Sequence, residues 1–592
     1  MKSRRSGLLA ITLLFGMLLA SCSGVEEHLW LRSPDWSRAV LIGSTSTSSP
    51  VPMLLAADGD VYVLLSETED EPPVSTLNLV RFASKTGSMT LAPIDIPLQL
   101  PKQLDLAWEG DDLRLYWIDR ESLNSARIST SGSVLEGPEL LSGGDSVGSF
   151  SLAGAPDGTT SLWYAGTRTN PGITMLMSAD GDQAFRIDEG GIRIQTMFDQ
   201  AGSLHAAWVH YPYGYEATQI RYAVYEPGTL PQALQIREVQ RLNLGLSTTL
   251  DDFAIGLDDE NIYFFWTTIV RSGLESGAIS SLYLNFPIGQ VTSEGRPGEI
   301  WVPTIYTLDF RNTPGGFDVG ERVSLSSLDV PATNELQDIL TNPRVGDETV
   351  VVFRSPAQHL WRKTRLQVNL VYMRDGEAFA YQPLSFTPTA SSFPNVVSNA
   401  DGQLYVTWLE KQAANWYSVY LASTEPTMVA ALHELTLKEI GDIALQSAFG
   451  MLIGALLAPI AAAVWMIAPL LALLLFSPLG RIRSEKASNV ITVFTLVIAV
   501  SLVWFTKLAV FPDMFAYVPF SAWIPEIPKA AGLVLQGLVP VITLVVSSIV
   551  AWHYTYRRGN YSSLYFILVY VGIDALLTTS IYAVLIYGTF IQ

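Results

Sequence analysis

A short turn followed by an apolar strand recurs along the chain up to about residue 428 of 592, and no other feature restricts the fold as much. In Asn399-Ala400-Asp401-Gly402-Gln403-Leu404-Tyr405-Val406-Thr407-Trp408 an Asp-Gly pair stands between two apolar runs. Glycine accepts the positive φ of a tight hairpin, so the stretch predicts a turn and then a strand ending in an aromatic residue. Six more stretches share the pattern. They are Asp58-Gly59 leading to Leu65, Glu109-Gly110 to Tyr116, Asp157-Gly158 to Tyr164, Ala201-Gly202 to Trp208, Asp259-Glu260 to Trp266, and Gly346-Asp347 to Phe353. In all seven the bulky residue lies six positions beyond the second turn residue. Most intervals between successive bulky residues fall near 50, the spacing of propeller blades built from several short strands.

The last repeat shows the plan of one blade, with strands expected at 394–400, 403–410 and 416–422. A matching third strand is expected at 219–225 in the fourth repeat. The bulky residue ending each second strand then acts as a wedge between neighbouring sheets, worth about 2–3 kcal/mol of burial. The last repeat has no room for a fourth strand, and residues 37–43 are expected to supply it, closing the ring and removing an open edge. The 87-residue interval between Trp266 and Phe353 holds either an insertion, at about 285–340, or an eighth, degenerate blade. The count favours seven blades with an insertion.

These repeats resemble the sialidase-like propellers, whose blades read as a strand, an Asp-containing turn and a strand ending in Trp. The Asp-box itself, Ser-x-Asp-x-Gly-x-x-Trp, is matched in part. Ser178-Ala179-Asp180-Gly181 lacks the Trp, and Asp401-Gly402 lacks the spacing. The resemblance implies an arginine triad, a Tyr–Glu nucleophile pair and an acid/base Asp, none of which a local motif places. Arg114, Arg168, Arg193 and Arg221 are the candidates by location, with an ordinary blade-edge arginine as the simpler reading of each. Fold likeness alone does not deliver catalysis.

Other site chemistry is sparse. His205 and His210 flank Trp208, but His205 falls where other repeats have Tyr62, Tyr263 and Tyr405, which points to packing. None of the six histidines has metal-ligand spacing, and the acidic run Glu67-Thr68-Glu69-Asp70-Glu71 lacks the Gly turn of a calcium loop. No Gly-rich phosphate loop, Gly-x-Ser-x-Gly elbow or Cys–His pairing occurs, so no cofactor is expected.

Charge divides the chain in two. From Phe476 onward seven Lys or Arg stand against four Asp or Glu, a net of +3, which leaves −23 for the remainder of a chain of net −20. So acidic a domain argues against nucleic acid as a partner. The single cysteine, Cys22, excludes an internal disulfide, and its position accounts for it. Lys2, Arg4 and Arg5 precede an apolar stretch at 7–20, too short to cross a bilayer and of the length of a signal-peptide core. It ends in Leu19-Ala20-Ser21-Cys22, which resembles the lipobox of bacterial lipoproteins and implies cleavage before Cys22 and lipidation of its thiol.

Four apolar segments long enough to span a bilayer follow, at 445–476, 490–511, 530–552 and 563–590. The first contains Pro459 and Pro469, which predicts a kinked or tilted helix. The loop holding Arg481, Arg483 and Lys486 and the loop holding Arg557 and Arg558 carry the positive charge and are expected in the cytoplasm. That places the propeller outside, in agreement with the signal peptide. Asp574 lies mid-depth in the last span, with Lys507 near the outer end of the second. An intramembrane carboxylate is costly, so a bond to Lys507 or to neighbouring helices is expected, with an ion or proton relay as the alternative.

The expected organisation is a signal peptide at 1–21, a lipidated segment and closing strand at 22–50, and a propeller at 51–428. An interfacial linker helix at 429–444 and a four-helix membrane domain at 445–592 complete it. The expected function is a non-catalytic, extracytoplasmic platform binding a glycan, peptide or protein, held to the membrane by lipid and helices. The alternatives are a sialidase-like glycoside hydrolase and a sensor or transport component using the membrane helices.

Overall fold

The computed structural model describes residues 35–582 apart from short internal stretches, the longest at 305–319, 477–484 and 519–528. Cys22, the leader at 1–21, the partial Asp-box at Ser178-Ala179-Asp180-Gly181, and Arg481, Arg483 and Arg558 lie outside the described residues.

Seven antiparallel sheets form the blades of a propeller. Their innermost strands are Met53–Leu55, Gln103–Glu109, Val147–Gly154, Gly191–Phe198, Thr248–Leu257, Gln337–Thr341 and Ser391–Ser398. Each of the seven sequence repeats is the second strand of one blade: Val61–Asp70, Asp112–Asp119, Thr160–Gly166, Leu204–His210, Asn261–Val270, Thr349–Leu360 and Leu404–Ala413. The seven bulky residues that end the pattern are all buried. They act as the expected wedges. Trp208 packs with Trp163 of blade 3, Trp266 with Val209 and Tyr222 of blade 4, and Trp408 with Val352 and Leu370 of blade 6.

Blade 7 takes its outer strand from the start of the chain. Val40–Thr45 pairs with Trp416–Ser423, Val40 opposite Leu421 and Thr45 opposite Tyr417. The strand starts three residues later than the stretch 37–43, whose Ser37 instead donates its backbone N–H to Ser423 O at 2.8 Å. Between Trp266 and Phe353 the described residues form no eighth blade, only a two-stranded pairing and an addition to blade 6. Val302–Pro303 pairs with Ala332–Thr333, and Val323–Ser324 adds a fifth strand to blade 6.

A circle of hydrogen bonds joins each innermost strand, or the residue just before it, to the next. Trp108 Nε1 donates to Leu55 O at 2.9 Å, and the Gln103 amide exchanges two bonds with the Phe150 backbone. Ser151 Oγ accepts from Thr196 N at 3.0 Å, and Arg193 Nη1 donates to Asp251 O. Asp338 N donates to Asp252 Oδ2 and Phe393 N to Asp338 Oδ2, both at 2.8 Å. Asn395 Nδ2 closes the circle on Val51 O at 2.8 Å. Polar residues on strands buried this deeply need partners, and the neighbouring blade supplies them.

Five helices follow: α1 (Pro426–His433), α2 (Leu437–Phe476), α3 (Glu485–Val510), α4 (Lys529–Thr555) and α5 (Ser563–Ile581). The stretch 437–444, expected as part of a separate linker, is the start of α2, which runs as one 40-residue helix through Pro459 and Pro469. Four stretches are long and apolar enough to cross a membrane: Ala448–Leu475, Val490–Val510, Ala530–Tyr556 and Ser563–Ile581. The last is the most buried, with Phe566, Ile567, Tyr570 and Val571 packed inside the bundle. At Gly454 of α2 an added Cβ would stand 2.1 Å from Thr579 O of α5, so the absence of a side chain there lets the two backbones meet.

Candidate functional site

The charged side chains that take part in the described bonds of the inner circle lie on blades 4, 5 and 6, with the Phe393 backbone of blade 7 joined to them. Asp252 and Asp338 are linked through the Asp338 N–H, and Asp338 Oδ2 also lies 2.9 Å from Arg354 Nε. The Arg354 guanidinium stands 5.3 Å over the Phe393 ring, and Arg271 Nη2 bonds Asp251 Oδ1 at 2.7 Å. Bulges bring these groups together. The first strands of blades 5, 6 and 7 slip register between Leu250 and Asp252, Gln337 and Leu340, and Ser392 and Asn395. Asp338 (φ 53°) and Phe393 (φ 48°) thereby occupy the left-handed region, which non-glycine residues hold only when bonds around them enforce it.

Burial sets the protonation of this arc. It pushes the Asp252 carboxyl up to about 6, with the charges of Asp338 and Asp251 adding and Arg193 opposing. Asp338 is also raised by burial, against Arg354. Burial lowers the Arg193 guanidinium, with Asp252 and Asp251 opposing. On blade 2, burial likewise pushes Asp105 up to about 6, opposed by the Leu106 N–H. A carboxyl that changes charge near neutrality can give or take a proton, or meet a ligand hydroxyl in either state.

Strand direction places the arc at one end of the ring. Innermost strands start at the bulges and finish at the repeat turns. The chain leaves blade 7 at the turn end, where Thr424 N bonds Leu404 O at 2.9 Å before α1 begins. The arc therefore lies at the end away from α1.

Of the four arginines named from the sequence, Arg193 alone joins the inner circle by a described bond. Arg114 is buried in blade 2 and forked onto both Glu109 oxygens at 2.9 Å. Arg221 bonds Asp188, which also accepts from Trp208 Nε1 at 2.7 Å, and Arg168 stands 5.5 Å over the Tyr211 ring. His205 is buried between Tyr222 (2.7 Å) and Asp199 (3.2 Å), and burial lowers its pKa. Tyr263, at the equivalent position of blade 5, likewise holds its turn aspartate Asp258, so both residues secure turns. Asp252, Asp338 and Arg354 were not singled out from the sequence, because bulges without a motif bring them together. Among the described residues no group of His, Cys, Asp or Glu side chains is placed to hold a metal ion.

The two intramembrane candidates meet. Lys507 Nζ lies 3.2 and 3.1 Å from the Asp574 oxygens, with both side chains fully buried. Trp504 and Trp465 place their rings 4.8 and 5.5 Å from the ammonium, so three helices surround the pair.

Together these features define a seven-bladed propeller followed by a bundle with four candidate membrane spans. No family model matches the sequence, and no curated protein matches it. Among solved structures it is similar to the polysaccharide lyase Uly1 (9% identity, 64% of this chain and 91% of that one, TM-score 0.40). It is also similar to the α-L-arabinanase of Penicillium chrysogenum in complex with arabinobiose (11%, 66% and 98%, 0.33). A third is the subtype N10 neuraminidase-like protein of A/little yellow-shouldered bat/Guatemala (13%, 55% and 95%, 0.32). These are distant likenesses, and the fold assignment rests on the strand pairing above.

Proposed function

We propose that the chain is a membrane-anchored propeller whose arc-bearing end is a platform for a hydroxyl-rich or charged ligand: a glycan, a peptide or a protein loop. The signal-peptide pattern at 1–21, the lipobox-like run ending in Cys22 and the distribution of positive charge support an extracytoplasmic propeller on a bacterial membrane. What supports the reading is the fixed state of the arc. Asp338 and Asp252 accept bonds from the next blade, and Arg193 and Arg354 are engaged within the ring. Groups held this way form a preorganised surface, which lowers the ordering cost of binding.

Glycan cleavage is a second reading, and Asp252 favours it. A carboxyl near 6 beside a second carboxylate suits a general acid. The test is retention of a glycan and peptide library on the full chain in nanodiscs, followed by mass spectrometry of what is released. Ligand returned intact and lost on Arg354→Gln supports the platform. Shortened glycans lost on Asp252→Asn support cleavage.

A further inference from the structure

One corner of the ring, beside the point where α1 leaves it, carries large apolar side chains that stay exposed. Met89 and Leu91 stand on the outer strand of blade 1 (Ser88–Leu98) and Leu135 on that of blade 2 (Val134–Leu140), and they are 47%, 61% and 50% exposed. The two strands are neighbours. An added Cβ on Gly132, in the turn before the blade 2 strand, would stand 3.0 Å from Ala92 Cβ, next to Leu91. Exposed apolar side chains gathered in this way mark a surface for a protein partner or a membrane.

The course of the chain points to the membrane. α1 is fixed to this corner. Met428 is buried in the blade 7–blade 1 core, and Arg38 Nε donates to Leu432 O at 2.6 Å. An added Cβ on Gly87, two residues before Met89, would stand 3.8 Å from Leu432 Cδ2. Three residues, 434–436, join α1 to α2, whose apolar stretch opens at Ala448. That link spans at most about 14 Å, and α2 rises about 16 Å from Leu437 to Ala448. The corner is therefore held within about 30 Å of the point where α2 enters the hydrocarbon. With α2 inclined, the outer strands of blades 1 and 2 reach the headgroups.

The chemistry of the corner suits a zwitterionic bilayer. The propeller as a whole is acidic, but here Arg81 and Lys85 balance Asp58 and Asp60, and Arg81 bonds Asp60 at 2.6 Å. Glu136, beside Leu135, accepts from Arg127 at 3.2 Å. Thr86, Ser88 and Ser131 place exposed hydroxyls around the apolar residues, and a hydroxyl donates readily to phosphate or ester oxygens.

We propose that this corner is a membrane-docking surface. Met89, Leu91 and Leu135 enter the headgroup layer of the bilayer that α2 crosses, and the flanking hydroxyls bond lipid oxygens. The ring then rests on blades 1 and 2, with the charged arc of blades 4–6 across the ring from the membrane. The inference rests on reading α2–α5 as membrane spans and adds a second, peripheral contact to them.

The experiment uses the full chain in phosphatidylcholine nanodiscs, with a benzophenone side chain placed at one position at a time and the photoproducts weighed. Val541, exposed within the third candidate span, reports on the spans themselves. Leu274, fully exposed near Arg271 at the arc-bearing end, is the reference away from the membrane. Lipid adducts at Leu91 and Leu135 are expected to exceed those at Leu274 at least about tenfold, the worth of one leucine side chain entering an apolar layer. Leu91→Asp with Leu135→Asp, both at exposed positions, is expected to lower the adducts at Met89 by about the same factor. Adducts at Val541 without adducts at Leu91 and Leu135 overturn the docking and leave the spans standing. No lipid adduct at any of the three overturns both. A photoproduct of twice the chain's mass at Leu91 or Leu135 means that a second copy covers the corner, and overturns the proposal. Undiminished lipid labelling at Met89 in the double variant means that the tether alone brings the corner close, and overturns it too.

Discussion

The Asp338 N–H donates to Asp252 Oδ2 at 2.8 Å, so a carboxylate on blade 5 closes the bulge of blade 6. The bond holds the non-glycine residue Asp338 at φ 53° and ties the innermost strands of two blades. Burial makes the charged form of Asp252 unfavourable, and this has a definite sign. Its folded pKa of about 6 lies above the usual 3.8, so its contribution to stability is complete below about pH 4 and is lost as pH rises through 6. Asp252→Asn keeps an acceptor for the Asp338 N–H and removes the charge. It is expected to raise stability by about 2 kcal/mol at pH 8, with the gain vanishing towards pH 4. Urea melts across that range check it; a gain that grows on acidification contradicts it.

Lys507 and Asp574 are both fully buried, so removing one partner leaves an uncompensated charge among helices. Asp574→Asn is expected to destabilise the bundle by about 3–5 kcal/mol, whereas Lys507→Met with Asp574→Leu recovers most of the loss. Unfolding in mixed detergent micelles measures both. Equal losses in the single and double variants would show that the pair is not the source.

Ile42, on the closing strand, is 4% exposed and shares the blade 7–blade 1 core with Val51 and Leu421. Ile42→Ala is expected to cost about 2–4 kcal/mol. Because the ring is closed by this strand, amide exchange should rise together in the first and last blades. Exchange raised in residues 40–45 alone would mean that the strand is not part of the closure.

Gly454 of α2 abuts the backbone of Thr579. Gly454→Val is expected to force α2 away from α5 and lower the melting temperature in detergent, while Gly537→Val, on α4 with open space around the added Cβ, has a smaller effect. Equal effects would indicate a general cost of a β-branched residue and not a contact.

The blade count was legible because the repeat carries its own chemistry, a glycine-tolerant turn and a bulky residue six positions on, and each repeat became one second strand. The intramembrane pair was legible for a similar reason, since a lone acid and a lone lysine in apolar spans have few other partners. The charged arc was not. Asp252, Asp338 and Phe393 meet through bulges set by packing between strands more than 50 residues apart, and nothing local to Gln337 or Ser392 announces a slipped register. The extent of α2 was also missed. A linker helix was expected to end at 444, but nothing at 444–445 breaks the helix, and it continues to Phe476.

Binding without cleavage at the arc-bearing end is the property on which the proposed function turns. Its most direct test is the full chain in nanodiscs, loaded with a retained glycan or peptide, washed, and eluted into a mass spectrometer beside the Arg354→Gln and Asp252→Asn variants. The expected result is retained ligand eluting at its original mass, with retention lost in Arg354→Gln and kept in Asp252→Asn. Shortened product from the parent chain that disappears in Asp252→Asn would contradict it.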